Sequence, residues 1–432
     1  MQKKITIKIS DISAFKESLV EYARFFELAC ILDSNSQYFH SVTYNSVQYD
    51  LIAGYAFSFI DAEKITQLTD IDNYSEENNH WLLGYITYDL KNELENLQSN
   101  NPDYMKWPPC IFFKPDVLIF LKGQTVTIVS YSGPDGHEVI RSLAGITPRL
   151  LYSNLVELNP RLTKNEYLKR IHQIQRQIFK GDIYEVNFCL ELFSNATIDP
   201  YSYFNFLNTQ SPAPFASFFK VIDKFLLSLS PERYLKKLGD SIIMQPMKGT
   251  APRANIRNED DLLRDGLSNS LKERSENIMI VDLVRNDLSK IAQKNSVIVE
   301  ELCKVYSFPQ VHQMISSVRA RLKTASFSEI IKATFPMGSM TGAPKIAAMK
   351  IIDDYEITKR GLYSGAVGYI SPSSDIDLSV VIRSLQYNAG TEYLSYMVGS
   401  AITALSNPQQ EYEECLLKAY GIKNGFNKNN YA

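Results

Sequence analysis

The sequence contains few of the residues that usually build metal clusters and disulfide scaffolds, with 5 histidines and 5 cysteines among 432 residues. The cysteines form no Cys-x-x-Cys pair and the histidines show no metal-ligand spacing, so the sequence predicts no zinc site. An odd number of scattered cysteines is typical of buried thiols in a reducing compartment. We therefore expect a cytoplasmic protein.

Long apolar runs and an excess of charge are also absent. No run approaches the ~18 residues that a membrane-spanning helix needs, and the N-terminal segment alternates like an amphipathic strand rather than a signal peptide. The formal net charge is −3 with acids and bases interspersed, so no basic stripe is present to bind a phosphate backbone. We expect neither a membrane nor a nucleic acid as a partner.

The sequence pattern changes near residue 155, where glycine and proline residues accumulate. Residues 1–155 form a strand-rich N-terminal region, and residues 156–425 carry the motifs that suggest chemistry. The second region opens with a clear helix, because Thr163 and Glu166 match a capping box. We expect the two regions to interleave, each contributing strands to the same sheets.

Lys248 stands in an unusually rigid setting within the segment Met244–Arg253, which reads Met-Gln-Pro-Met-Lys-Gly-Thr-Ala-Pro-Arg. Proline fixes a backbone dihedral and glycine allows a close backbone approach, so the amine is restricted in direction. The pKa of a lysine falls readily on desolvation, which suits a nucleophile. The alternative is a lysine at a strand end in a salt bridge.

Glu232 is predicted to lie near Lys248. The apolar segments Phe225–Leu229 and Ile242–Met244 flank a Gly239-Asp240 turn and predict a hairpin. A three-residue loop or a single bulge in that hairpin would place Glu232 and Lys248 on the same face.

Two predicted helices each carry a glutamate pair at i and i+3: Glu273 and Glu276 in the helix Ser268–Leu288, and Glu411 and Glu414 near the C-terminus. Two carboxylates ~4 Å apart repel by about 4 kcal/mol at an effective dielectric constant of 20. If the helices face one another, a hard divalent cation such as Mg²⁺ would compensate this repulsion. The alternative is that both pairs lie on ordinary solvated helix faces.

The C-terminal part of the chain predicts a three-stranded antiparallel meander. Its strands are Tyr363–Ile370, Leu378–Tyr387 and Glu392–Ile402, separated by segments rich in turn residues. The last predicted helix follows this meander.

Taken in order, these segments resemble the chorismate-utilising enzymes, which include the anthranilate, aminodeoxychorismate, isochorismate and salicylate synthases. The resemblance runs from about Leu162 to Ile422. It rests on the motifs Gly181–Asn187, Ser230–Arg233, Pro246–Thr250, Arg274–Asp282 with Arg285–Asp287, Thr341–Lys345, Tyr363–Val367, Ile382–Ser384 and Glu411–Glu414.

The resemblance implies an α+β fold in which large twisted antiparallel β-sheets pack as a sandwich with helices outside, as in anthranilate synthase component I. Lysine at the position of Lys248 is typical of the aminodeoxychorismate branch, whereas the anthranilate branch carries alanine. The implied reaction is amination of chorismate at C4. The nearest alternative is the anthranilate synthase component I reaction, and a further one is a non-catalytic sensor of chorismate or tryptophan.

The resemblance also implies roles for individual residues. Lys248 attacks C2 of chorismate while Glu232 protonates the departing C4 hydroxyl, and ammonia then adds at C4 and expels the lysine. Mg²⁺ is held by Glu276 and Glu414, with Glu273 and Glu411 supporting it through water. The remaining substrate-binding residues are Thr250, Tyr363, Arg383, Gly399 and Lys418.

The chain shows no glutaminase portion, so the resemblance implies ammonia from a separate glutamine amidotransferase subunit. Three positions depart from the family pattern: Glu185, where glutamine or lysine is usual, Gln313, where histidine is usual, and Ala401 in a glycine triplet. Gln313 and Ala401 motivate the sensor alternative. The segment Ile31–Ser34 is similar to one that lines a tryptophan pocket in the family, and tryptophan binding stays open.

Overall fold

Two large antiparallel β-sheets organise the computed structural model, which describes residues 3–36, 49–61, 64–78, 80–149, 156–308, 311–324 and 326–427. The predicted boundary near residue 155 falls at 150–155, outside the described residues. The strands are β1 (Lys3–Lys8), β2 (Leu28–Asp33), β3 (Leu51–Ala56), β4 (Lys64–Ile65), β5 (Leu82–Ile86), β6 (Cys110–Phe113), β7 (Val117–Lys122), β8 (Thr125–Ser130), β9 (Asn159–Pro160), β10 (Glu185–Asn195), β11 (Phe215–Val221), β12 (Lys224–Ser230), β13 (Arg233–Leu238), β14 (Ser241–Met244), β15 (Met247–Pro252), β16 (Ile298–Ser307), β17 (Val311–Arg321), β18 (Gly342–Ala343), β19 (Ala366–Ile370), β20 (Ile376–Val380), β21 (Ser384–Asn388) and β22 (Tyr393–Ile402).

The helices lie between these strands and at the C-terminal end of the described chain. They are α1 (Ile12–Tyr22), α2 (Leu68–Asn78), α3 (Lys91–Leu94), α4 (Gly136–Ala144), α5 (Lys164–Lys180), α6 (Pro200–Gln210), α7 (Arg257–Asn269), α8 (Leu271–Ser289), α9 (Phe327–Thr334), α10 (Lys345–Tyr355) and α11 (Pro408–Asn427). No helix within the described ranges combines the length and apolar character needed to cross a bilayer.

Both sheets take strands from each side of residue 155. The first has the order β1-β8-β7-β3-β2-β11-β12-β21-β22-β10-β18, with β9 paired to β10. The second has the order β15-β17-β14-β13-β20-β19-β5-β6-β4, with β16 paired to β17. The joins between early and late strands are β2 with β11, where Cys30 lies opposite Phe219, and β5 with β19, where Tyr85 lies opposite Val367.

The two sheets pack face to face through an apolar layer to which both contribute. Leu118 and Phe219 from the first sheet and Ile111 and Phe113 from the second are fully buried in this layer. Helices α1, α4, α5, α6, α10 and α11 share a core with the outer face of the first sheet, and α2, α8 and α9 with that of the second. The predicted sandwich with helices outside is confirmed.

Local signals predicted α5 well. Thr163 and Glu166 form the reciprocal capping box, and Gly181 ends the helix with φ 87°, a left-handed conformation that glycine adopts without strain. The apolar residues at helical spacing, Tyr167 and Ile171 among them, are buried against the first sheet.

The predicted hairpin between Phe225–Leu229 and Ile242–Met244 is wrong. The first segment lies in β12 of the first sheet, and the second in β14 of the second sheet. The Gly239-Asp240 turn does form, but it joins β14 to β13 (Arg233–Leu238). Three of the six residues of β13 are basic, so the sequence lacks the apolar alternation that marks a strand.

The predicted meander is also wrong in its middle strand. Leu378–Tyr387 is divided into β20 of the second sheet and β21 of the first, and Arg383 at the crossing has φ 51°. A second crossing lies beside it, between β12 and β13, where the Val380 amide donates to the Glu232 carbonyl and the Leu229 amide donates to the Arg383 carbonyl. The two places where the chain changes sheets are therefore joined by backbone hydrogen bonds.

Candidate active site

Lys248 lies on the outermost strand of the second sheet, at an irregularity in the pairing. The register of β15 on β17 shifts between Met247 and Thr250, which leaves Lys248 and Gly249 outside the regular ladder. Gly249 has φ 92°, and an added Cβ would lie 2.9 Å from Glu273 Oε2. The glycine is therefore needed for α8 to pack against this strand beside the lysine.

The ammonium of Lys248 pairs with the buried carboxylate of Glu185, the first residue of β10. Nζ lies 2.8 Å from Oε1, and the Glu185 side chain is 1% exposed. Burial acts to lower the pKa of Lys248, but Glu185, Glu276 and Glu232 outweigh it and raise the pKa above its ordinary value. The expectation of a lowered pKa is therefore wrong for this arrangement, because three carboxylates surround the amine.

Glu232 occupies the crossing between β12 and β13 and is 4% exposed. The Ser339 hydroxyl donates to Oε1 at 2.7 Å. Burial raises the pKa of Glu232 to about 7, although the Ser339 hydrogen bond and the Lys248 ammonium act in the opposite direction. A carboxyl group with a pKa near the operating pH is protonated in a substantial fraction of molecules, which suits a general acid. The structure thus brings Glu232 and Lys248 together at a sheet crossing, not across the predicted hairpin.

The two glutamate pairs lie around one cation, Lys272. Its Nζ is 3.8 Å from Glu411 Oε1. Burial acts to lower the pKa of Lys272, but the carboxylates of Glu276, Glu411, Glu273 and Glu414 outweigh it and raise that pKa. The four predicted acids are therefore in one region, contributed by α8 and α11.

The pKa values of these acids reflect their crowding. Burial raises the pKa of Glu276 to about 7, and Glu185 adds to the shift. Burial and the neighbouring Glu414 raise the pKa of Glu411. Glu414 differs, because Lys418 Nζ lies 2.6 Å from its Oε1 and, despite burial, holds its pKa below the ordinary value.

The glutamates offer the donor type that Mg²⁺ prefers, although no three acidic, imidazole or thiol groups in the described ranges form a ready-made metal cluster. Glu276 Oε1 is buried, and none of the described residues forms a hydrogen bond with it. Mg²⁺ usually binds proteins through one or two carboxylates and keeps several waters. The orphaned oxygen of Glu276, with Glu414 nearby, fits such an ion.

Lys418 connects the C-terminal helix to β22. Its Nζ donates to the Gly399 carbonyl at 2.8 Å as well as to Glu414. Gly399 lies opposite Cys189, and an added Cβ would meet Cys189 Sγ at 2.9 Å and the Asn187 amide nitrogen at 3.0 Å. The predicted site residues Gly399, Lys418 and Glu414 are thus adjacent.

The remaining predicted residues are less closely tied to this cluster. Thr250 is exposed on β15 opposite Gln313, whose buried Oε1 has no hydrogen-bond partner within the described ranges. Tyr363 is 4% exposed, and burial raises its pKa well above the ordinary value. Arg383 is half-buried at the sheet crossing and lies within electrostatic reach of Tyr396.

A family model described as chorismate binding enzyme matches residues 29–424. The chain belongs to this family. It is 35% identical over 343 residues to aminodeoxychorismate synthase component 1 of Salmonella typhimurium, covering 79% of this chain and 75% of that protein. It is 44% identical over 260 residues to aminodeoxychorismate synthase of Streptomyces griseus, covering 59% of this chain and 35% of that longer protein.

A solved structure shares the fold. Anthranilate synthase component I from Streptococcus pneumoniae matches with a TM-score of 0.75 at 22% identity, covering 98% of this chain and 92% of that one. At this identity the match establishes the sandwich architecture of the chorismate-binding family and nothing about the reaction.

Sequence reasoning missed several residues that support the site in this family member. Arg360 is 2% exposed and donates to Glu356, to the carbonyls of Asn187 and Met340, and to the Ser364 hydroxyl. It therefore ties β10 to the segments that carry Ser339 and Tyr363, the neighbours of Met340 and Ser364. No local sequence pattern marks a buried arginine, so its role could not be predicted.

A separate cavity of about 80 Å³ is lined by Leu32, Asp33 and Ser34 from the segment Ile31–Ser34. Its lining also includes Pro214, which precedes β11 of the first sheet, and Arg233 on β13 of the second. The cavity therefore lies between the two sheets. It coincides with the segment that resembles the tryptophan-pocket lining of the family.

Proposed function

We propose that this chain is the chorismate-aminating component of an aminodeoxychorismate synthase. It converts chorismate and ammonia to 4-amino-4-deoxychorismate for 4-aminobenzoate and folate synthesis. The proposal is supported by relatives named aminodeoxychorismate synthase component 1, whose similarity covers 79% of this chain. The observation that carries it is the position of Lys248, partly buried beside Glu185 and within electrostatic reach of Glu232, whose pKa burial raises to about 7.

The chemistry follows from these side chains. Hydroxide is a poor leaving group, so the C4 hydroxyl needs a proton donor, and Glu232 supplies it. Lys248 adds at C2 as the hydroxyl leaves, which divides one difficult displacement into two easier ones. Ammonia then adds at C4 and the lysine departs. Arg383 and Tyr363 hold the enolpyruvyl carboxylate, and Thr250, Gly399 and Lys418 line the site.

Mg²⁺ is part of this proposal. Glu276 and Glu414 would bind the ion, with Glu273 and Glu411 supporting it through water, and the bound ion would attract the ring carboxylate of chorismate. Support comes from the buried, unpaired Oε1 of Glu276 and from the gathering of all four acids around Lys272.

The proposed partner is a glutamine amidotransferase subunit that supplies ammonia, in keeping with the component 1 designation of several relatives. The proposed location is the cytosol. All five cysteines are free and buried, as expected in a reducing compartment.

The test is product identification by mass spectrometry after incubation with chorismate, ammonium and Mg²⁺, with ammonium omitted as the control. We expect 4-amino-4-deoxychorismate that depends on ammonium. Anthranilate, detected by its fluorescence, without any aminodeoxychorismate would contradict the proposal in favour of the anthranilate reaction. Tight binding of chorismate with no product would favour a sensor.

A further inference from the structure

Glu185 forms a buried ion pair with Lys248 that uses only one of its two carboxylate oxygens. Its side chain is 1% exposed, and Oε1 accepts a hydrogen bond from Lys248 Nζ at 2.8 Å. Its other oxygen, Oε2, is buried and has no hydrogen-bond partner among the described residues. A buried carboxylate oxygen without a partner is costly, so a purely structural role does not account for this arrangement.

The proposed reaction needs a proton acceptor at this position. A lysine attacks only as the neutral amine, and the amine carries one proton too many when it is paired with a carboxylate. The charged groups within electrostatic reach of Lys248 come from four parts of the chain: Glu185 on β10, Glu232 at the sheet crossing, Glu276 on α8 and Glu414 on α11.

Only one of these groups is placed to take the proton directly. Glu185 is hydrogen-bonded to Lys248 Nζ, whereas Glu232 accepts from Ser339 and must hold a proton for the leaving hydroxyl. Glu276 and Glu414 act on Lys248 through charge alone and lie in the acidic cluster around Lys272.

We propose that Glu185 is the acid–base partner of Lys248, taking a proton from Nζ when the amine adds to the ring and returning it when the amine leaves. This inference rests on the proposed function. It assigns a task to the one buried acid whose identity departs from the glutamine or lysine usual in the family.

The proton and electron balance closes over both half-reactions. In the first, the Glu185 carboxylate takes one proton from the Lys248 ammonium, and the Nζ electron pair forms the bond to C2. Both conjugated ring double bonds then shift, from C1=C2 and C5=C6 to C1=C6 and C4=C5, and the C4–O bond breaks. Glu232 gives its proton to that oxygen, and water leaves. The adduct is a secondary ammonium, Glu185 is neutral and Glu232 is charged.

In the second half-reaction, the electron pair of ammonia forms the bond to C4, both ring double bonds shift back to C1=C2 and C5=C6, and the C2–N bond breaks with its electron pair returning to Nζ. Glu185 returns its proton to the Lys248 amine, and the Glu232 carboxylate takes one from the new C4 ammonium. The sum is chorismate plus ammonia giving aminodeoxychorismate plus water, with every side chain restored.

The experiment compares Glu185→Gln with the wild-type enzyme in single turnovers without ammonia, using mass spectrometry to follow the adduct on the peptide spanning residues 244–253. Glutamine keeps the shape and a hydrogen bond but cannot take a proton. We expect adduct formation at pH 7 to slow by about 10²-fold, the scale of a lost general base. Glu191→Gln, which alters another buried acid of β10, is the matched control and should form the adduct at the wild-type rate.

A pH series and chemical rescue separate catalysis from structure. In Glu185→Gln the Lys248 amine must lose its proton to solvent. The deficit in its rate of adduct formation relative to the wild type should therefore shrink as the pH rises. Glu185→Ala leaves space for a small carboxylate, and added formate should restore its adduct rate in proportion to concentration. A deficit that stays constant with pH, or the absence of rescue in a folded Glu185→Ala protein that binds chorismate, would overturn the assignment.

The outcomes also distinguish the inference from the proposed function. Wild-type enzyme that forms no adduct and no aminodeoxychorismate would overturn both. Wild-type enzyme that forms the adduct while Glu185→Gln forms it equally fast would overturn the role of Glu185 and leave the proposed function intact.

Discussion

Two buried cation–carboxylate pairs contact strand β10, and they differ in how completely their polar groups are satisfied. Arg360 donates to both oxygens of Glu356, at 3.0 and 2.6 Å, and to three further acceptors, and Glu356 also accepts from the Cys189 amide. Lys248, by contrast, donates to a single oxygen of Glu185, and the second oxygen has no hydrogen-bond partner in the part of the chain that the structure describes.

The contrast separates two uses of buried charge. A saturated pair fixes several segments in one arrangement, and removing either partner leaves an uncompensated charge. An unsaturated pair leaves one carboxylate oxygen available to accept a proton. We therefore expect changes at Arg360 to act mainly on stability and changes at Lys248 to act mainly on chemistry.

The largest expected effect is the loss of catalysis in Lys248→Ala. Without the amine no adduct can form, so the amination rate should fall on the order of 10⁴-fold or more, as when other covalent nucleophiles are removed. The measurement is the aminodeoxychorismate formation rate together with adduct detection. Lys220→Ala removes another buried lysine, on β11, and should retain adduct formation. An unchanged rate in Lys248→Ala would rule out covalent catalysis.

Arg360→Met tests the other side of the comparison. It keeps the apolar volume but leaves the Glu356 carboxylate buried and unpaired, so the free energy of unfolding should fall by about 3–5 kcal/mol. Urea denaturation measures this loss. Arg170→Met removes one hydrogen bond to the Tyr355 carbonyl, so it should lower the free energy of unfolding by only about 1 kcal/mol. Equal losses in the two variants would mean that the Arg360–Glu356 pair stabilises the fold no more than a single hydrogen bond does.

A smaller effect is expected from Glu273→Gln. The proposed role of Glu273 is to support Mg²⁺ through water, and changes to such outer partners typically weaken metal affinity by 10–100-fold, so a loss of about that size is expected. Calorimetric titration with Mg²⁺ gives the affinity directly. Glu413→Gln, which alters an exposed residue on α11, should leave it unchanged. Identical affinities for the two variants would argue against a metal role for this glutamate pair.

The sequence predicted features that depend on local or ordered motifs and missed those set by distant contacts. The helix α5 follows from Thr163 and Glu166, because a capping box acts within one turn. The division of Leu378–Tyr387 at Arg383 could not be predicted from local motifs. Two sheets compete for the same apolar run, and the sheet that each part joins depends on non-local pairing.

The same limit applies to the site. Ordered motifs identified Lys248, Glu232 and the four glutamates, and the structure places all six close to one another or to Lys272. Their protonation could not be predicted, because the raised pKa of Lys248 depends on acids from separate parts of the chain. The role of Arg360 was equally hidden, since its partners lie on segments far apart in sequence.

The smallest expected effect is on the pH dependence of the free energy of unfolding, to which the buried Glu232 contributes. Burial raises its pKa from 4.5 to about 7 in the fold, so the folded protein binds the proton more tightly than the unfolded chain does. Its contribution to stability is therefore fully present below a pH of about 4.5 and is lost as the pH rises through about 7, with a slope of at most ~1.4 kcal/mol per pH unit.

Glu232→Gln cannot titrate, so its free energy of unfolding should fall less steeply over this window than that of the wild type. Urea denaturation at a series of pH values measures the difference between the two slopes. Parallel curves would mean that Glu232 is ionised in the folded protein at neutral pH, and it could not then serve as the proton donor for the leaving hydroxyl.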